Sequence, residues 1–199
     1  MKFNSLSSVY DAYGNRKYLT FSERKAFLDA ATNTSPDVMT FCFMLAYTGA
    51  RISEVLALTP ARIDHQAGVI VFETLKRRRR GLYRAVPVPP EFFGVLNHVH
   101  HVVNAQKKVG KIDEPIWLWC RTTAWTRVKE IMAIANIVGV QASPKGLRHA
   151  FGVLAVQSGV PLNMVQKWLG HADLSTTVIY ANAVGEEEVS IASKLWDRL

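Results

Sequence analysis

Apolar positions recur at helical spacing along most of the chain, with one stretch of different period near the middle. Thr20-Phe21-Ser22-Glu23 sets a hydroxyl and a glutamate three residues apart, the spacing of a capping box, and predicts a helix from there to about Ala31. Pro36 suits the first turn of a second helix over Asp37–Tyr47, which is apolar nearly all round and hence central to the core. Thr48-Gly49-Ala50 breaks it, and a short helix follows from about Ile52 to Leu58, ended by Thr59-Pro60. The period then switches. Val69-Ile70-Val71-Phe72 is a β-branched run behind Gly68, and Tyr83-Arg84-Ala85-Val86-Pro87-Val88 alternates, so the two predict a β-hairpin with a basic tip ending at Gly81. Pro89-Pro90 closes the hairpin and opens a helix to about Lys108; Ile116–Trp119 is a short strand or an extended connection. Further helices are expected at about 123–138, 146–158, 161–169, 175–183 and 187–197, punctuated by Gly139, Gly159-Val160-Pro161 and Gly170. Residues 1–18 are polar without period and predict a flexible leader. The fold class is α+β, mainly α-helical, with one small antiparallel sheet.

Composition adds the setting. The 199 residues are 49% hydrophobic and 20% charged, enough to bury a sizeable core. The longest apolar stretch, around Val38–Ala50, is interrupted by Thr40 and Thr48 and is too short to span a bilayer. The N-terminus MKFNSLSSVY has no apolar signal-peptide core, so the expected location is cytoplasmic, with no membrane partner. Cys42 and Cys120 are far apart and outside any C-x-x-C pair, which argues against a disulfide framework or a cysteine zinc site. A net charge of +8 suits a polyanionic partner. Its distribution is uneven: residues 1–171 hold 22 bases and 11 acids, whereas the remainder holds two bases and five acids. Six bases, Lys76, Arg77, Arg78, Arg79, Arg80 and Arg84, fall in the hairpin with no acid among them, as phosphate-backbone contacts would require.

Four groups carry candidate chemistry. In Thr48-Gly49-Ala50-Arg51-Ile52-Ser53-Glu54, an arginine follows a glycine break with Glu54 one turn along; alone, the two are also an ordinary surface ion pair. In Gly146-Leu147-Arg148-His149-Ala150-Phe151 a second arginine sits near a helix start, and His149 is read as a packed or hydrogen-bonded side chain on a different side from Arg148. Trp168-Leu169-Gly170-His171 is followed nine residues later by Tyr180, which as a nucleophile would need cations to stabilise its phenolate. Lys76 is the hairpin base placed at a strand end. His98, His100 and His101 lack an accompanying carboxylate, so no metal and no cofactor is expected.

In order and together, T-G-A-R-I-S-E-V-L-A-L, a hairpin lysine, G-L-R-H-A-F, W-L-G-H and a tyrosine nine residues on resemble the catalytic domain of the tyrosine recombinases, the lambda-type phage integrase family, from about Phe21 to the C-terminus. The resemblance implies a mainly helical catalytic core and DNA strand exchange through a covalent 3′-phosphotyrosyl link. It also implies roles for single residues. Arg51 and Arg148 match the phosphate-clamping arginines, His171 the phosphate-binding histidine, Tyr180 the nucleophile, and Lys76 the lysine that protonates the leaving 5′-oxygen. Glu54 matches the supporting acidic residue. Double-stranded DNA is the implied partner, bound by a homotetramer on synapsed sites and by a monomer or weak oligomer when free.

Two departures stand out. The family has H-x-x-R before its second arginine, whereas this chain has Lys145-Gly146-Leu147-Arg148; lysine donates to phosphate but as an ammonium accepts no proton. Residues 1–18 are also too short for the N-terminal core-binding domain most members carry, so the chain is expected to be a fragment or a short member, with the catalytic domain over 19–199. Within it, Val189, Ala192, Leu195 (or Trp196) and Leu199 form an apolar stripe in the acidic segment 186–199, which predicts a docking helix. Two other readings compete: a non-enzymatic regulator using a helix-turn-helix around Gly159-Val160-Pro161, and a relaxing enzyme like the type IB topoisomerases.

Overall fold

Side-chain chemistry sets where the helices begin. In the computed structural model, which describes residues 8–74, 81–182 and 193, the Thr20 hydroxyl accepts from the Glu23 amide while the Glu23 carboxylate accepts from the Thr20 amide. This reciprocal box opens α1 (Phe21–Thr32). Pro36 starts α2 (Pro36–Thr48), which ends at Gly49 in the left-handed region, φ 59°. α3 (Ile52–Leu56) follows. Three strands, β1 (Ile63–Asp64), β2 (Val69–Glu73) and β3 (Tyr83–Pro87), form an antiparallel sheet in chain order. β1 is too short to alternate and so left no period in the sequence. In β2 and β3, Ile70 pairs with Val86 and Phe72 with Arg84, and all four are buried.

The helix expected from Pro90 to Lys108 is two, α4 (Pro90–His100) and α5 (Val102–Gln106), because His101 takes a left-handed conformation, φ 52°, between them. Ile116–Trp119 forms no strand; the Ile116 amide donates to the Leu58 carbonyl at 2.9 Å, and Trp117 is buried edge-on against Phe41. α6 (Arg121–Ile134) starts two residues early because the Cys120 thiol accepts from the Thr123 amide. α7 (Pro144–Gln157), capped by the Ser143 hydroxyl, and α8 (Leu162–Leu169) follow. α9 (Ser175–Val178) runs into a 3-10 turn, Ile179–Asn182. Apart from Ser193, the expected helix at 187–197 lies outside the described residues, as do Lys76 and Arg77–Arg80.

α2 is the central element, packed on α1, α4 and α7, with Phe41, Cys42, Met44 and Ala46 fully buried. The described part of the expected flexible leader does not conform. Val9 is fully buried, the Lys17 amide donates to the Val9 carbonyl at 2.8 Å, and Arg16 pairs with Glu23. A local turn does this: the Asp11 carboxylate accepts from the Tyr13 and Asn15 amides and folds the segment back on itself, with Val9 and Tyr18 buried as its apolar anchors. Among the described residues no helix is long and apolar enough to cross a membrane.

His100 Nε2 lies 2.8 Å from the Thr40 hydroxyl with its ring edge-on to Trp117, and burial lowers its pKa to about 4. The folded chain then binds fewer protons than the unfolded one between roughly pH 6.5 and that value. Stability should be full above about pH 6.5 and fall as the pH drops toward about 4. Urea unfolding across pH 4–7 checks this, with His100→Gln expected to flatten the dependence; an unchanged slope in that variant would mean His100 takes up its proton in the folded state.

Candidate active site

The ends of α2 and α8 meet at one guanidinium. Arg148, on the first turns of α7, donates from Nη1 to the Gly49 carbonyl at 2.7 Å and from Nη2 to the Leu169 carbonyl at 2.6 Å. Both acceptors lie at helix C-termini, where the helix dipole favours a cation. Gly49 has no room for a side chain, since a Cβ there would sit 2.7 Å from Phe151 and 2.9 Å from Leu169. Burial lowers the Arg148 pKa to about 10, with Arg51 adding to the effect, which leaves it a cation at neutral pH.

Glu54 is not half of a surface ion pair. Its side chain is fully buried, and it accepts from the Arg51 amide (2.8 Å), Arg51 Nη1 (2.8 Å) and Arg84 Nη2 (2.6 Å). Burial alone pushes this carboxyl up, but Arg84 and then Arg51 outweigh it and hold it below the ordinary value. Arg84, expected to contact DNA with the rest of the basic run, is corrected: it is 5% exposed and spends its donors inside the protein. Nε donates to the Trp168 carbonyl at 2.7 Å, Nη1 to the Thr74 hydroxyl at 3.3 Å, and the guanidinium lies 5.2 Å from the centre of the Phe72 ring. The cause is strand phase, because Arg84 shares the inward face of β3 with Val86.

The Tyr180 ring lies on α7 at Gly152, where a Cβ would come within 2.6 Å of it, and stacks on His171 with centroids 6.1 Å apart. Tyr180 is 2% exposed. Burial raises its phenol above the usual value, and the charges of Arg148 and Arg51 pull it part of the way back. His171 Nδ1 is 2.9 Å from the Thr177 hydroxyl, which leaves Nε2 as the nitrogen able to serve a ligand. Burial, reinforced by Arg148 and Arg51, pushes His171 down to about 3, so it is neutral at pH 7.

Arg51, Glu54, Lys145, Arg148, His171 and Tyr180 all line one cleft of about 810 Å³. Thr74, at the end of β2, lines it too, two residues before Lys76. The structure adds Arg121 and Trp125 on α6, which the sequence reading passes over, and His149 on α7, which it reads as a packed or hydrogen-bonded side chain. His149 does not face away from Arg148's site. Lys145, Arg148, His149 and Gly152 follow i, i+3, i+4, i+7 spacing, one helix face, and that signal was present in the sequence. Among the described residues no three His, Cys, Asp or Glu side chains group to hold a metal ion. What the cleft offers is a set of cations around a buried phenol, an arrangement able to hold a tetrahedral oxyanion beside a nucleophile.

Matching over residues 17–187, the chain belongs to the phage integrase family. The tyrosine recombinase XerD of Yersinia pestis is 32% identical over 149 residues, covering 72% of this chain and 48% of the relative. XerD of Pseudomonas aeruginosa is 33% identical over 141 residues, covering 67% and 45%. The chain thus spans about half the length of the curated relatives it matches. Among solved structures, XerH site-specific recombinase bound to palindromic difH substrate, a post-cleavage complex, matches with a TM-score of 0.76 at 22% identity, over 96% of this chain and 57% of that one. The catalytic domain of bacteriophage HP1 integrase matches with a TM-score of 0.64 at 22% identity, over 88% and 93%. At these identities the structural likeness is one of fold.

The buried Glu54–Arg84 pair makes a stability prediction. Removing Arg84 leaves the buried Glu54 carboxylate with Arg51 as its one cationic partner among the described residues, so Arg84→Met should cost up to roughly 3–5 kcal/mol, while Arg84→Met with Glu54→Leu should recover part of the loss. Denaturant unfolding of the three variants measures this. A single variant within about 1 kcal/mol of wild type would place the pair in solvent.

Proposed function

We propose that this chain is the catalytic part of a site-specific DNA recombinase that cleaves and rejoins strands through a 3′-phosphotyrosyl intermediate on Tyr180. The observation that carries this reading is the convergence of Arg51, Arg148, Lys145 and His171 on the one cleft that holds Tyr180. In the reaction, Tyr180 Oη gives an electron pair to the scissile phosphorus and its proton passes to water in the cleft. The P–O5′ bond breaks with its electrons on the 5′-oxygen, which takes up a proton; Lys76 is the proposed donor. Arg51 and Arg148 hold the non-bridging oxygens, doing in place of metal ions what two bidentate donors can do. The bond energy is stored in the ester, so religation needs no nucleotide.

Around that centre, double-stranded DNA is the partner, and Arg77–Arg80 with Arg121 supply its phosphate contacts. Strand exchange needs two DNA duplexes, and a homotetramer on synapsed sites, built by docking of the segment 186–199, is the assembly that serves it. The protein works in the cytoplasm, on the nucleoid.

A nicked suicide DNA substrate tests the reading. Wild type should form a denaturant-resistant adduct, and Tyr180→Phe should bind the same DNA within a few-fold and form none. Adduct from that variant would remove Tyr180 from its role, and no adduct from wild type would favour a DNA-binding regulator. Lys145 is read as a third cationic clamp. Lys145→Ala should slow single-turnover cleavage by roughly 10–1000-fold, the range for loss of an oxyanion donor, and Lys145→His should retain substantial activity. Cleavage by Lys145→Ala at the wild-type rate would put Lys145 outside the reaction.

A further inference from the structure

Of the polar groups around Tyr180, His149 has no part in the reaction just described. Its Nδ1 lies 3.3 Å from the Tyr180 hydroxyl oxygen, and the two rings are 5.8 Å apart. Its other nitrogen, Nε2, is buried and has no hydrogen-bond partner among the described residues. These two observations decide the tautomer. A proton on Nε2 would be a buried donor with nothing to receive it, whereas a proton on Nδ1 has Tyr180 Oη within reach. An unfilled acceptor is the less costly of the two vacancies.

We propose that His149 is a catalytic hydrogen-bond donor to the nucleophile, its Nδ1–H holding Tyr180 Oη and stabilising the negative charge that gathers there as the phosphotyrosyl bond forms and breaks. The inference rests on the recombinase reading above. His149 keeps its own proton throughout; the proton that leaves is the phenol's, and it goes to water. The surroundings forbid the opposite role, because a base at this position would become an imidazolium among cations. Lys145 and Arg148 face it from α7 and Lys17 from the N-terminal segment, Arg51 lines the same cleft, and His171, which lines it too, is neutral. Burial, then Lys145 and Arg148, lower the His149 pKa to about 4, so the ring stays neutral where the reaction runs. The donor is also needed more once DNA is bound: the phosphate neutralises the two arginines that otherwise favour a phenolate, and a neutral N–H aimed at the oxygen keeps its effect. A distance of 3.3 Å is long for such a bond, as catalytic hydrogen bonds commonly are before substrate tightens the site.

The test is single-turnover cleavage of the suicide substrate by wild type, His149→Ala and His149→Asn from pH 6 to 9, with DNA affinity and thermal unfolding recorded for each. His149→Ala should cleave roughly 100–1000-fold more slowly, with its rising pH limb moved to higher pH because the phenol has lost a donor. His149→Asn, whose amide N–H can donate from the position of Nδ1 but whose side chain accepts no proton, should recover to within about tenfold of wild type. His149→Ala cleaving at the wild-type rate overturns the proposal. So does His149→Asn, folded and bound to DNA, cleaving as slowly as His149→Ala, since basicity would then be what matters. Nitrogen NMR of the unmodified protein at pH 7 gives a readout independent of activity: a neutral His149 ring protonated on Nδ1 is expected, and protonation on Nε2 overturns the assignment. Wild type forming no adduct while the NMR result holds would sink the recombinase reading and leave the His149–Tyr180 hydrogen bond in place as a structural contact without a catalytic role, which also overturns the proposal.

Discussion

A carboxylate with no exposure needs cations and amides around it, and Glu54 draws them from separate parts of the chain. Arg51 comes from the start of its own helix and Arg84 from β3. Arg84 in turn reaches the Trp168 carbonyl at the end of α8, and Arg148 takes the next carbonyl, Leu169. Two guanidiniums therefore clip the C-terminus of α8, where the helix leaves carbonyls unpaired, and His171 follows two residues later. The placing of Arg51, Arg148 and His171 is consequently one problem with one solution. Burial of Glu54 anchors the sheet, α3 and α8 to each other, and the cleft is the space between them. The desolvation cost of that network is the reason for its completeness, because a half-paired arrangement would be worse than an apolar one.

Concentrating cations has an electrostatic consequence for every other group nearby. Burial and the charges of Arg148 and Arg51 act in the same direction on His171, which keeps it neutral and able to offer one N–H and one lone pair. On Tyr180 the same two factors oppose each other: burial favours the phenol and the arginines the phenolate. The phenol is thus held in its protonated form by desolvation and drawn toward ionisation by charge. The cleft can therefore be strongly cationic without making its own histidines compete for the role of cation.

Much of this was legible from one dimension. The capping box at Thr20, the proline start of α2 and the break at Gly49 each rest on local chemistry, and each appears where the residues require it. What was missed was decided by tertiary context. Residues 8–18 looked loose because period is the signal of an amphipathic element, and a turn held by Asp11 between a buried Val9 and a buried Tyr18 has no period. Arg84 was grouped with the basic run by composition, although the alternation Arg84, Val86, Val88 already put it on the inward face. A charge on an inward face is normally an error in the strand assignment; here a buried carboxylate 30 positions earlier, invisible to any local window, makes it correct. Glu54 was hidden for the same reason, since i, i+3 spacing to Arg51 describes an exposed pair as well as a buried one.

α7 brings these threads together. Its first face carries Lys145, Arg148, His149 and Gly152 in helical register, so a single rigid rod presents an exposed cation, a buried cation, a neutral imidazole and a bare patch of backbone. The bare patch is what lets Tyr180 lie flat: a side chain at 152 would occupy the ring's place, and the hydroxyl would no longer reach His149. Glycine in a helix interior costs about 1 kcal/mol relative to alanine, a penalty this helix carries at 152 for the sake of a contact with the tyrosine. Tyr180 itself comes from the 3-10 turn after α9 and meets these cations where its ring lies against this rod. Arg51 and His171 must likewise be brought to α7 from elsewhere, and both arrive through the network that Glu54 and the end of α8 hold together.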